Sequence, residues 1–238
     1  MTEWFEEWFG DEYLRLYPHR DAVEAERAIA LILARVGFVP GWRLLDVACG
    51  AGRHARALEV AGARCVGLDL SAAQLRVART ITGAPLVRAD MRALPIRPGS
   101  IDLTLNLFTS FGYFDRDEEH VAALREMVAT LRPRGWFVID FLNAQLVRNR
   151  LIRRETQRVQ GADVEVERSV SPDNRYVCKT IRSDGGRRFT ERVRLFGADE
   201  IEAMLAESGV TVRERFGDYD GSPLGPESPR TLLLGQIE

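Results

Sequence analysis

From residue 43 onward, short apolar runs alternate with stretches in which apolar residues recur every three or four positions. Leu44, Leu45 and Val47 make a run of the length of a buried strand, and similar runs return at Cys65-Val66-Gly67-Leu68, 85–88, 101–106 and 135–141. The pattern predicts strands over 43–48, 64–69, 85–88, 101–106 and 135–141 and helices over 52–62, 71–80 and 117–132. Ser71 with Gln74, and Asp115 with Glu118, offer capping boxes at two of the helix starts. Strand and helix in alternation predict an α/β fold, a doubly wound, mostly parallel sheet with right-handed crossovers. Ligands of such sheets lie beyond the C-terminal ends of the strands.

The flanks follow different patterns. Trp4, Phe5, Trp8, Phe9, Leu14 and Tyr17 recur at roughly helical spacing, interrupted by Gly10 and stopped by Pro18, which predicts a short bent helical segment that must pack on something. A helix follows over 20–36, ended by Gly37 and Pro40-Gly41. After Asp140 the alternation stops, and 153–196 reads as an antiparallel meander with strands near 164–167, 176–179 and 193–195 and turns at Pro172-Asp173-Asn174 and Asp184-Gly185-Gly186. A helix over 198–208 and two strands, 210–216 and 231–237, close the chain. The expected organisation is an N-terminal helical lid (1–40), a main domain (41–150 with 197–238) and an antiparallel β insertion (151–196).

Candidate chemistry begins at the turn after the first strand. Gly50 and Gly52 let the backbone bend tightly and approach a ligand, and Asp69, at the end of the next strand, is placed to take both hydroxyls of a ribose. A dinucleotide fold calls for G-x-G-x-x-G, but here position 55 is Ala and an acid, Asp46, precedes the glycines. A carboxylate there repels a pyrophosphate and suits a ligand bearing an ammonium group.

The run Leu45-Asp46-Val47-Ala48-Cys49-Gly50-Ala51-Gly52 resembles the first motif of the class I S-adenosylmethionine-dependent methyltransferases, with Ala48 at the usual first glycine, a replacement that fits if its φ is negative. Leu131-Arg132-Pro133-Arg134-Gly135 resembles the family's L-K-P-G-G turn, with Arg134 forced into an awkward conformation where glycine is common. The resemblance spans 43–141 and implies S-adenosyl-L-methionine as cofactor, no metal, and a seven-stranded sheet whose last strand runs antiparallel between the fifth and sixth. It implies that Asp90 meets the adenine amino group, that the Met91 N–H meets a ring nitrogen, and that the segment from Asn106 to Tyr113 borders donor and acceptor. The expected cofactor set is Asp46, Ala48, Gly50, Gly52, Asp69, Leu70, Asp90, Met91, Asn106 and Leu107, with Tyr13 and Arg20 from the N-terminal segment. Tyr17, Thr109, Ser110, Tyr113, Asp218 and Tyr219 are the expected acceptor set, and His19 and Tyr17 the candidates for a catalytic base; His54 and His120 read as surface or capping residues. Similarity is greatest to small-molecule members, including sugar N-methyltransferases, which implies methyl transfer to an oxygen or nitrogen by in-line displacement. An RNA methyltransferase, a nicotinamide-dependent oxidoreductase and an inactive cofactor-binding subunit remain open as alternatives.

Composition narrows this little further. The chain has 238 residues, 45% hydrophobic and 29% charged, with a net charge of −2, so nothing attracts it generally to nucleic acid or to an anionic membrane. Asn106-Leu107-Phe108-Thr109 lacks the N-P-P-Y loop of DNA amino-methyltransferases, and DNA is not expected as a partner. The three cysteines have no metal or disulfide spacing, and no signal peptide or membrane span is evident, so a cytoplasmic protein acting on a small molecule, with a homodimer conceivable, is expected. Arg148, Arg150, Arg153, Arg154 and Arg158 form a basic run best read as a solvated face. Only one of the 33 lysine and arginine residues, Lys179, is lysine, an imbalance that reads as composition rather than chemistry.

Overall fold

The computed structural model describes residues 3–17, 22–159, 162–182 and 188–238. The aromatic N-terminal segment forms two short helices, α1 (Trp4–Trp8) and α2 (Asp11–Leu16), with Gly10 as the joint, and the long amphipathic α3 (Ala22–Val36) follows. Then come β1 (Arg43–Val47), α4 (Arg53–Val60), β2 (Arg64–Asp69), α5 (Ala72–Ile81), β3 (Leu86–Arg88), β4 (Ile101–Asn106), α6 (Asp117–Ala129), β5 (Leu131–Leu142) and α7 (Ala144–Arg150). The insertion contains β6 (Arg154–Val159), β7 (Ala162–Val170), β8 (Tyr176–Arg182) and β9 (Arg188–Arg194). The chain closes with α8 (Ala198–Glu207), β10 (Val210–Phe216) and β11 (Arg230–Ile237).

Seven strands form one sheet in the order β10-β11-β5-β4-β1-β2-β3. The pairs among β1 to β5 are parallel, and β11 runs antiparallel between β5 and β10. Every residue of β4 is buried, as a central strand covered on both faces requires. One face packs Leu45, Val47, Phe137 and Ile139 against α6 and α8; the other packs Leu44, Leu103, Leu105 and Val138 against α3 and α4. The insertion is a separate antiparallel sheet, β6-β7-β8-β9. Val164, Val166 and Ile181 on its inner face are buried with Trp8, Tyr13 and Leu16, so it packs on the N-terminal helices.

Several boundaries differ from the expectation. α6 stops at Ala129 and β5 begins at Leu131, with Pro133-Arg134-Gly135 inside the strand and Arg134 at φ 61°, the awkward conformation foreseen for it. α6 starts at Asp117 as expected, but its capping box lies one residue later than Asp115 with Glu118: Glu119 accepts from the Arg116 N–H (3.3 Å), while Asp115 is paired with Arg192 of the insertion. β6 has no counterpart in the predicted meander, because alternating Arg, Glu, Thr, Gln and Arg leaves no apolar signal to read. The expected turn at Asp184-Gly185-Gly186 lies outside the described residues.

Ala48 has φ 59°, not the negative value its chemistry favours, and Gly52 has φ 83° with the position of a Cβ only 3.0 Å from the Ala78 Cβ of α5. The first glycine position is thus strained by its methyl group, and the last exists to let α4 approach α5. Left-handed backbone costs a non-glycine residue about 1–2 kcal/mol. Ala48→Gly is expected to stabilise the protein by about 1 kcal/mol and Gly52→Ala to destabilise it by about 1–3 kcal/mol, read from urea unfolding midpoints.

Candidate functional site

A cavity of about 930 Å³ opens beyond the C-terminal ends of β1, β2, β3 and β4. Ala48, Gly50, Asp69, Leu70, Asp90, Met91 and Leu107 contribute to its wall, as do Tyr13, Tyr17, Thr109, Ser110 and Tyr113. One carboxylate sets its shape beside the turns after β1 and β2: Asp69 accepts from the Gly50 N–H and the Ser71 N–H, both at 2.8 Å. Burial raises the Asp69 pKa, and these backbone donors oppose the rise. Ser71 caps α5 by accepting from the Gln74 N–H (3.2 Å), and its hydroxyl donates to the Phe9 carbonyl (2.6 Å), which fastens the N-terminal segment over the turn.

Asp90 follows β3, where its partner is Arg92 through both carboxylate oxygens (2.7–3.1 Å). Arg92 also reaches Glu3 (2.8 Å) and Glu119 (3.1 Å), so this loop, the N-terminal segment and α6 meet at one guanidinium. Its hydrogen bonds hold the Asp90 carboxyl below the ordinary aspartate range against the effect of burial.

After β4, Phe108 and Thr109 both adopt φ 58°. Two consecutive left-handed non-glycine residues persist only where the surroundings determine them. Here Asp140, fully buried on β5, does so: its carboxylate accepts from the Phe108 N–H (2.8 Å) and its carbonyl from the Thr109 N–H (2.9 Å). The same carboxylate accepts from Arg230 (2.6 and 2.8 Å) and the Tyr219 hydroxyl (2.5 Å). The Tyr113 hydroxyl then donates to the Thr109 carbonyl (2.6 Å), and Ser110 to the Leu107 carbonyl (2.8 Å).

Rings and the insertion make the roof. Phe9–Tyr13 and Tyr13–Tyr17 centroids are 4.9 Å apart and Phe9–Tyr113 5.4 Å, an aromatic row along the cavity. Arg168, Val177, Lys179, Glu191 and Val193 project from the insertion, and the Trp8 indole N–H donates to Glu191 (2.7 Å).

Other expected site residues lie elsewhere. Asp46 is buried beneath the glycine turn and does not line the cavity; Asn106, also fully buried, donates to the Val47 carbonyl (3.2 Å), and Gly52 is taken up by helix packing. Tyr219 belongs to the Asp140 cluster and Asp218 accepts from the Tyr219 N–H (2.7 Å), so neither borders the opening: the loop between β10 and β11 folds onto the core instead. His19 and Arg20 lie outside the described residues. His120 is buried, not a surface residue: it accepts from the Phe114 N–H (3.3 Å), burial brings its pKa down to about 4, which keeps it neutral, and it does not line the cavity. Sequence reasoning missed His54 and Arg53, which line the cavity from the first turn of α4, although they directly follow the glycine turn. Arg168, Lys179 and Glu191 carry no local motif, since only the meander's folding brings them to the site. Among the described residues no group of His, Cys, Asp and Glu could hold a metal ion, and no helix is long and apolar enough to cross a membrane.

Asp46 has one oxygen, Oδ2, without a hydrogen-bond partner. Burial, reinforced by the charge of Asp69, raises its pKa from 3.8 to about 7, while Arg53 and the Ala55 N–H pull it down. Between those two values the folded protein holds a proton that the unfolded chain has released, so this group removes stability as pH rises from about 4 to about 7. Asp46→Asn is expected to gain on the wild type across that interval and to hold its advantage above it, read from urea midpoints at pH 5 and pH 8.

Residues 45–139 match the family described as a methyltransferase domain. A ubiquinone biosynthesis O-methyltransferase of Bordetella bronchiseptica is 31% identical over 113 residues, which are 45% of this chain and 45% of that protein, so the chain spans about half the length of this curated relative. The CcbJ methyltransferase of Streptomyces caelestis superposes with a TM-score of 0.80 over 96% of this chain and 97% of its own, at 19% identity, a likeness of fold. The sugar N-methyltransferase KedS8 of Streptoalloteichus sp. superposes with a TM-score of 0.69 over 96% of this chain and 92% of its own, at 25% identity. The glycine turn, the acid ending β2 and the antiparallel final strand agree with these matches: residues 45–139 match a methyltransferase domain, and the sheet built on them has the fold of S-adenosylmethionine-dependent methyltransferases.

Proposed function

We propose that the chain transfers a methyl group from S-adenosylmethionine to a nitrogen or oxygen of a small molecule. The observation that carries this reading is the composition of the cavity: the turns after β1 to β4 supply one end, and aromatic helices and an inserted sheet supply the other. In this reading Asp69 takes the ribose hydroxyls while keeping its backbone donors, because each carboxylate oxygen has two lone pairs. Asp90 and Met91 meet the adenine, Leu70 and Leu107 bound it, and Tyr13 faces the sulfonium, where an aromatic ring favours positive charge by about 0.5–2 kcal/mol. Residues 1–40 act as a lid and 151–196 as the acceptor-side cover.

The chemistry is an in-line displacement. The acceptor lone pair forms a bond to the methyl carbon as the carbon–sulfur bond breaks, and the sulfur keeps the electron pair, so the sulfonium charge is lost. Alignment of donor and acceptor supplies about 7–11 kcal/mol in such reactions, and a closed cavity keeps water from competing. Thr109, Ser110 and Tyr113, held by the Asp140 cluster, face the acceptor opposite Tyr17. An RNA acceptor is not favoured by the arginine run: Arg150 pairs with Glu227 (2.5 Å), Arg154 with Glu167 (3.0 Å) and Arg158 with Asp163 (3.9 Å), and Arg148 donates to backbone carbonyls.

Calorimetric titration tests the cofactor. S-adenosylmethionine and S-adenosylhomocysteine are expected to bind and NAD not to; NAD binding with no response to the other two overturns the proposal. Asp69→Ala is expected to weaken S-adenosylhomocysteine binding by about 1.5–3 kcal/mol per charge-assisted hydrogen bond lost. An unchanged dissociation constant in a folded variant would reduce Asp69 to a turn cap.

A further inference from the structure

Lys179 stands out once the cavity is drawn. Of 33 lysine and arginine residues it alone is lysine, and it lines the cavity from β8, its side chain 19% exposed. Its ammonium donates to the Tyr17 hydroxyl oxygen and lies 3.7 Å from Glu191 on β9. Charged groups beside this cluster include Arg168 on β7, which donates to Glu155 on β6 (2.6 Å), and Glu155 itself, whose carboxyl feels the charge of Lys179. The Tyr13 ring flanks Tyr17.

We propose that Lys179 is a positioning residue of the acceptor site, acting through Tyr17 on an acceptor that carries an amine. The inference rests on the methyl-transfer reading above and names the acceptor class and the proton's destination within it. An arginine in this place would anchor a phenol equally well, but a guanidinium does not give up its proton, whereas a partly buried lysine does. A lysine and a tyrosine sharing a hydrogen bond titrate as one unit, so the pair with one proton removed accepts a proton as a whole. Once the pair has released one proton to solvent, leaving the Tyr17 oxygen as a phenolate beside the ammonium, an ammonium acceptor attracted by Glu191 and the aromatic row loses its proton to that oxygen. The freed amine lone pair then attacks the methyl carbon, the carbon–sulfur bond breaks onto sulfur, and the product is a methylated ammonium and S-adenosylhomocysteine. The Lys179–Tyr17 pair returns its extra proton to solvent when the product leaves.

The test uses the full chain and Lys179→Met, Lys179→Arg and Tyr17→Phe. Release of S-adenosylhomocysteine from S-adenosylmethionine is followed with a panel of amino sugars and other small primary and secondary amines between pH 6 and pH 10, and S-adenosylhomocysteine affinity is measured for each protein. Affinity within twofold of wild type, a wild-type rate that rises with pH along a single limb, and at least a tenfold loss in both Lys179 variants are expected. Because the chain has one lysine, labelling with 15N-lysine gives one side-chain resonance, whose titration is expected to shift in Tyr17→Phe. Full activity and an unchanged pH profile in Lys179→Arg, a lysine resonance indifferent to Tyr17→Phe, or a wild-type protein that binds S-adenosylhomocysteine yet methylates no amine each overturn the inference. A wild-type protein that does not bind S-adenosylhomocysteine instead fails the methyl-transfer reading itself.

Discussion

The carboxylate of Asp140 is the constraint on which the site depends. It sits where β5, β11 and the loop after β4 converge, inaccessible to water, and it is bonded to Arg230, Tyr219 and the backbone of Phe108. Breaking a buried pair of this kind by removing one partner costs about 3–5 kcal/mol, because the remaining charge is left uncompensated. Two guanidiniums lie over the Phe108 ring: that of Arg230 is 5.0 Å from its centroid and that of Arg53 4.0 Å. Phe108 thus meets cations from two different elements, and its left-handed backbone is held by the Asp140 acceptor. The central sheet and the cavity wall are therefore parts of one bonded unit.

The main sheet was legible from residue order alone, since its strands are short apolar runs separated by helical periodicity and a central parallel strand tolerates little else. The turn after β1 was legible as a turn, yet its conformation was not. Ala48 adopts a positive φ because the backbone path from β1 to α4 is set by Gly50, Gly52 and the Asp69 bond, and a local preference of one residue is too small to redirect it. Asp218 and Tyr219 illustrate the opposite case. They sit in a loop of the kind that often reaches a ligand, but the Tyr219 hydroxyl bonds inward to the buried carboxylate of Asp140, and that partner is 79 residues away in sequence. Asp46 and Asn106 occupy positions that point toward the ligand end of their strands, and only three-dimensional burial reveals that the glycine turn lies above them.

The end of the cavity lined by the insertion was less legible still. Lys179, Glu191 and Arg168 come from three strands of a meander whose sequence shows only weak alternation, and their convergence follows from the register of β7 with β8 and β8 with β9. Arg168 pairs with Lys179 across one ladder and Lys179 with Glu191 across the next, so a line of charge runs over the face that meets the N-terminal helices. Trp8 and Tyr17 answer that line from the other side with an indole N–H and a phenol oxygen. The aromatic density near the N-terminus is explained by the same contact, because each helix there is too short to be stable without such a surface.

The inserted sheet ends in a strand, β6, whose outer backbone edge has no neighbour among the described strands. Its side chains alternate half-buried and exposed, and Arg154 and Arg158 on the exposed positions are 83% and 75% accessible. An open strand edge is a template for pairing with another chain, and long cationic side chains are one of the ways in which sheets avoid it. The arginines that in sequence read as a solvated face are, on this edge, a guard against self-association: replacing them with threonine or valine would leave the edge open to pairing with another chain.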